Sequence, residues 1–139
     1  MEWNRAGWKV KYEIKWNNGN GKGREYYRDG NLKFVVEYLN GKRNGKGKEY
    51  CDGKIIFEGE YLNGQRNGKG KEYDRITGKL IFEGEYLNEI RNGKGKEYDY
   101  NGNIKFEGEY LNGERIILKG EVFINWNNFE NDLILNIWK

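Results

Sequence analysis

Between Glu37 and Tyr98 the chain writes one phrase three times: EYLNGKRNGKGKEY at 37–50, EYLNGQRNGKGKEY at 60–73 and EYLNEIRNGKGKEY at 85–98. Tyrosines 38, 61, 86 and 110 mark the same place in successive copies, at spacings of 23, 25 and 24 residues. A unit that short cannot bury an apolar face alone, so a period of this size predicts stacked repeats that share a core with their neighbours.

Each copy reads as a β-hairpin. In KIIFEGEYLNGQRNGKGKEY, alternation puts Phe57, Gly59 and Tyr61 on one face of a strand and Ile56, Glu58, Glu60 and Leu62 on the other. Asn63-Gly64 and Asn67-Gly68 bracket a polar loop, and Asp52-Gly53 and Asn101-Gly102 mark the return to the next unit, all dipeptides that tolerate positive φ. Lys69 and Lys71 share a face with Tyr73, which predicts a bulge in the second strand. Gly59, Gly84 and Gly108 each stand between two aromatics, where a missing Cβ leaves room for a ring from the adjacent hairpin. With strands about 4.8 Å apart, each unit advances the sheet by roughly 9–10 Å, for a total of roughly 50 Å.

The ends differ from the middle. All five tryptophans, Trp3, Trp8, Trp16, Trp126 and Trp138, fall outside 37–115, as expected for caps on exposed sheet ends. Near the C-terminus Phe129, Leu133, Ile134, Ile137 and Trp138 recur at helical offsets, predicting a short amphipathic helix over 128–138. The expected architecture is therefore all-β: an elongated single sheet of hairpin repeats with that C-terminal helix. One repeat domain spans 1–139, with a degenerate hairpin or cap over 1–34, clear repeats over 35–115 and a cap over 116–139.

Composition removes most enzyme chemistry. The chain has no histidine and no serine, one threonine (Thr77) and one cysteine (Cys51), so neither Ser-His-Asp nor Cys-His catalysis has its residues. His-based metal sites are excluded in the same way. The pairs Glu58/Glu60, Glu83/Glu85 and Glu107/Glu109 recur in every unit, which suits cross-strand pairing with Lys69/Lys71 and Lys94/Lys96 better than an active site. The NGKGK segments lack both the spacing and the Ser or Thr of a phosphate-binding loop. A non-enzymatic protein with no cofactor and no metal is expected. No apolar run reaches the length of a membrane span, and Met1 to Val10 lacks the order of a secretion signal, so the expected location is cytoplasmic.

The pattern aromatic-x-Gly-x-aromatic-x-x-Gly-x-x-x-Gly-x-Gly resembles the MORN repeat. It is complete at Phe57, Gly59, Tyr61, Gly64, Gly68 and Gly70. The next copy has Glu89 where glycine is expected, the preceding one has Val36, and the likeness covers roughly 10–115. The resemblance implies a hairpin that stacks into a curved single-sheet ribbon, acts as a scaffold, self-associates and holds a partner helix in its groove. Similar repeats also occur in bacterial proteins described as antitoxin-like. A single-layer sheet has an aromatic face that something must cover, so the expected partner is a protein, either a peptide or helix or a second copy forming a homodimer. Phe57, Tyr61, Phe82, Tyr86, Phe106 and Tyr110 are its candidate contacts, with Ile90 as a departure from the repeat that is free to encode specificity. The alternative is an anionic lipid surface on a basic ladder of Arg43, Arg66 and Arg91 beside Lys46, Lys69 and Lys94. Nucleic acid is not expected, because the net charge is only +3 and residues 58–82 hold five basic and four acidic side chains.

Overall fold

The computed structural model describes residues 2–3, 9–12, 19–118 and 137–138. Among the described residues eleven strands form one antiparallel sheet in chain order, each hydrogen-bonded to the next. They are β1 (Glu2–Trp3), β2 (Lys9–Tyr12), β3 (Gly21–Tyr26), β4 (Leu32–Leu39), β5 (Lys42–Cys51), β6 (Lys54–Leu62), β7 (Gln65–Tyr73), β8 (Leu80–Leu87), β9 (Ile90–Tyr98), β10 (Ile104–Leu111) and β11 (Glu114–Arg115). A separate two-stranded pair joins β12 (Ile117–Leu118) to β13 (Ile137–Trp138). Most of the helix expected over 128–138 lies outside the described residues; its Ile137–Trp138 end is the strand β13. Trp8, Trp16 and Trp126 also lie outside them.

The turns explain why consecutive strands become neighbours. Asn40-Gly41, Asn63-Gly64 and Asn112-Gly113 each place two residues at positive φ. That geometry matches the right-handed twist of a two-residue hairpin. Asn88-Glu89 makes the same turn without glycine, with φ of 48° and 74°. Successive turns are tied together through the backbone, since Gly64 N–H donates to Arg43 O at 2.8 Å and Glu89 N–H donates to Arg66 O at 2.9 Å.

The expected bulge is present. Gly59 pairs with Gly70 and Tyr61 with Arg66, so β7 holds two more residues than β6 across that interval. Gly68 lies within it at φ 102°. The other pairings carry a continuous glycine row through Gly47, Gly59, Gly70, Gly84, Gly95 and Gly108.

The core lies on one side of this single layer. Phe34, Val36, Tyr38, Phe57, Tyr61, Phe82, Tyr86 and Tyr110 are buried, with Phe57 and Phe82 at 0% exposure. The rings meet edge to face along the stack: Phe57–Tyr61 at 5.8 Å, Phe57–Tyr86 at 5.2 Å, Phe82–Tyr86 at 5.7 Å and Phe82–Tyr110 at 5.2 Å. Each such pair adds about 0.5–1.5 kcal/mol to the burial itself. The glycine row makes room for them. A Cβ on Gly70 would lie 2.5 Å from Phe57 Cζ and 3.0 Å from Tyr86 Cε2, rings from two successive hairpins. At Gly59 the crowding comes instead from Phe57 on the same strand and from the β7 backbone.

Candidate functional site

Two faces with different chemistry follow from the strand alternation. On the aromatic face each phenylalanine is roofed by an arginine from the strand after it. The Arg43 guanidinium lies 3.8 Å from the Phe34 ring centre, Arg66 4.2 Å from Phe57, Arg91 4.0 Å from Phe82 and Arg115 4.8 Å from Phe106. A glutamate from the preceding hairpin holds each arginine in place. Glu72 accepts from Arg91 Nη2 at 2.7 Å and Nε at 3.0 Å, and also from the Tyr86 hydroxyl. Glu25 does the same for Arg43 and Tyr38, and Glu97 for Arg115 and Tyr110. In the unit between, Arg66 Nη2 donates to Glu49 at 2.5 Å, while the Tyr61 hydroxyl is buried with no hydrogen-bond partner.

These contacts set the ionisation of the face. The Arg115 guanidinium, helped by the Tyr110 hydroxyl, lowers the Glu97 carboxyl to about 2. Burial works to raise Glu72, but hydrogen bonds from Arg91 and Tyr86 outweigh it and its pKa falls. Burial first, and the neighbouring carboxylates second, push the Tyr86 and Tyr110 phenols well above their ordinary value. Glu72 and Glu97 therefore stay charged and Tyr86 and Tyr110 neutral across the physiological range.

The opposite face is striped. Lys46 and Lys48 stand on β5, Lys69 and Lys71 on β7, and Lys94 and Lys96 on β9, with Glu58 and Glu60, Glu83 and Glu85, and Glu107 and Glu109 on the strands between. Register pairs Lys48 with Glu58, Lys71 with both Glu58 and Glu83, and Lys96 with both Glu83 and Glu107. Ion pairs span 3.7 Å at Lys48–Glu58, 3.9 Å at Lys71–Glu83 and 3.4 Å at Lys96–Glu107. This is the cross-strand pairing expected from the sequence. The two rows flank the glycine strip and enclose a groove of about 1140 Å³. Along one rim run the half-exposed Leu39, Leu62, Leu87 and Leu111 together with Ile90, all 44–51% exposed. Along the other rim the register pairs Tyr50 with Ile55, Tyr73 with Leu80 and Tyr98 with Ile104. The Tyr98 hydroxyl reaches Glu83 at 2.5 Å, which places it on this face and pushes its pKa up to about 12.

The expected contact residues divide accordingly. Phe57, Tyr61, Phe82, Tyr86 and Tyr110 are buried between hairpins and Phe106 is half-buried against them, so a molecule approaching that face meets arginine and glutamate. Ile90 is exposed, on the rim of the other face beside Leu87. The basic ladder does not form along one edge. Arg43, Arg66 and Arg91 lie on the aromatic face, each engaged by a carboxylate, while Lys46, Lys69 and Lys94 lie on the striped face opposite Glu60, Glu85 and Glu109. Strand alternation causes the split, because Arg66 and Lys69 are an odd number of residues apart and the two extra residues of the bulge leave that parity unchanged. Sequence reasoning missed Glu25, Glu49, Glu72 and Glu97 as the anchors of the arginine roofs, and it missed the leucine rim. A signal was present: Lys-Glu-Tyr recurs unchanged at 48–50, 71–73 and 96–98.

Among the described residues no three His, Cys, Asp or Glu side chains are grouped so as to hold a metal ion, and no helix is long and apolar enough to cross a membrane. A family model for the MORN repeat matches residues 13–32, 37–55, 57–75 and 82–104, more than half of the chain. No curated protein matches it.

Proposed function

Because the chain belongs to the MORN repeat family, whose repeats generally engage in protein or membrane interactions and whose members are typically non-enzymatic, we propose that it is a protein-interaction scaffold whose working surface is the striped face. One observation carries this reading. The aromatic face is closed by the chain's own arginines and glutamates, whereas the other side carries a groove of about 1140 Å³ lined by lysine, glutamate and glycine. A groove of that volume, floored by backbone and edged by leucines, accepts a protein segment laid across the strands.

The surface also favours protein over an anionic membrane. Its lysines alternate strand by strand with glutamates, so no field of one sign builds up to attract lipid head groups. The test compares the intact protein with a Lys71→Glu, Lys96→Glu variant shown to be folded by circular dichroism. A protein captured from lysate by the intact chain, lost with the variant and retained through physiological salt, is the expected result. Pelleting with phosphatidylserine vesicles that fades as salt rises, with no protein captured, would replace this reading with a membrane one.

A further inference from the structure

In the two rows beside the glycine strip on the striped face, β5, β7 and β9 present lysine (46/48, 69/71 and 94/96) and β6, β8 and β10 present glutamate (58/60, 83/85 and 107/109). The six stripes read plus, minus, plus, minus, plus, minus at intervals of about 4.8 Å. Turned end for end, the pattern reads minus first, so every sign is inverted. A second copy rotated by a two-fold axis parallel to the strands, passing between β7 and β8, therefore lays Lys71 over the copy's Glu83 and Glu83 over its Lys71. The other in-plane two-fold, along the stack, lays each stripe on itself and is opposed by like charges.

We propose that a second copy of this chain is the occupant of the striped face, an inference that rests on that face being the working surface. Three features support an identical partner. Its stripes match in spacing by identity, whereas a helix rising 1.5 Å per residue meets a repeat of about 9.6 Å every ~6.4 residues and drifts out of phase. The same axis maps each apolar rim onto itself, and in this register Leu62, 47% exposed, meets Ile90 of the copy, 46% exposed. Six strands by four side-chain rows cover roughly 29 by 20 Å, or about 1,200 Å² over both copies, the lower end of the range for specific interfaces. The two grooves together form a channel edged by leucine, isoleucine and tyrosine, within which lysine faces glutamate.

Sedimentation equilibrium over a concentration series tests this on the full chain, with Lys71→Glu, Glu83→Lys, the double swap and a mixture of the two single variants. Expected is a species of twice the 16.5 kDa chain mass, lost in each single variant, regained when the two are mixed and retained in the double swap. Loss through misfolding could not be reversed by mixing, and the double swap keeps its own lysine–glutamate pair. A wild-type chain that stays monomeric, a dimer that survives both single variants, or a mixture that fails to reassociate would each overturn the proposal. A monomer that still captures a lysate protein through this face would leave the scaffold reading intact; one that captures none would remove both.

Discussion

At Gly70 there is no room for an added side-chain atom. A Cβ there would lie 2.5 Å from a fully buried Phe57 ring that cannot retreat, having Tyr61 and Tyr86 edge-on to it and Arg66 above. Gly70→Ala should lower stability by about 1–3 kcal/mol in urea denaturation, the usual effect of overpacking. Glu89 poses the opposite case. It holds the left-handed conformation that glycine takes in the other turns, but its carboxylate accepts from the Arg66 N–H at 2.8 Å. Glu89→Ala keeps the strain and loses the bond, and should cost about 1–2 kcal/mol; Glu89→Gly relieves the strain as it loses the bond, and should come within about 1 kcal/mol of wild type. The ionisable groups make a third test. Glu72 and Glu97 bind protons less readily folded than unfolded. Their stabilisation is complete above the ordinary carboxyl value of 4.5 and fades as pH falls towards about 2. The buried phenols have raised values, so their contribution is complete below 10 and is lost as pH climbs beyond it. A melting-temperature profile should therefore be flat between these limits and fall on both sides.

A hairpin with its turn is the smallest element that carries a complete set of contacts, and it carries them to its neighbour. Glu72 on β7 holds Tyr86 on β8 and Arg91 on β9, while Arg91 roofs Phe82 within its own hairpin. Removal of residues 61–85 joins Glu60 to Tyr86 and leaves every remaining set intact. That variant should fold with a lower melting temperature, and its scattering profile should be shorter by roughly 10 Å. Removal of 61–73 alone places β8 directly after β6, two strands that need opposite partners. It should abolish the cooperative transition for the C-terminal half, read by near-ultraviolet circular dichroism.

Across the whole molecule the charges nearly cancel, at net +3, and they do so locally, strand against strand. The striped-face ion pairs are 3.4–3.9 Å long and well exposed, so each contributes at most about 1 kcal/mol and is readily screened. The Arg–Glu bridges of the aromatic face, such as Arg91–Glu72 at 2.7 Å, are mostly buried and screened less. Raising salt to about 1 M should therefore shift the melting temperature by less than about 3 °C, in contrast to a fold held by surface charge.

By itself the sequence determined the hairpin and the chain-order sheet, because those depend on local quantities: a two-residue turn with positive φ and a period of two along each strand; it pointed to a bulge in the second strand without placing it. The lysine–glutamate pairing was legible for the same reason. Tertiary structure alone decided which face is closed and which is open. The glutamate that fixes each arginine over its ring comes from the hairpin before it, 17 to 19 residues away. Phe57 and Tyr86 look like an exposed aromatic face until those arginines are laid over them. A contact between hairpins leaves no periodic trace within either one, so only the assembled sheet could move the open surface from the aromatic side to the striped side.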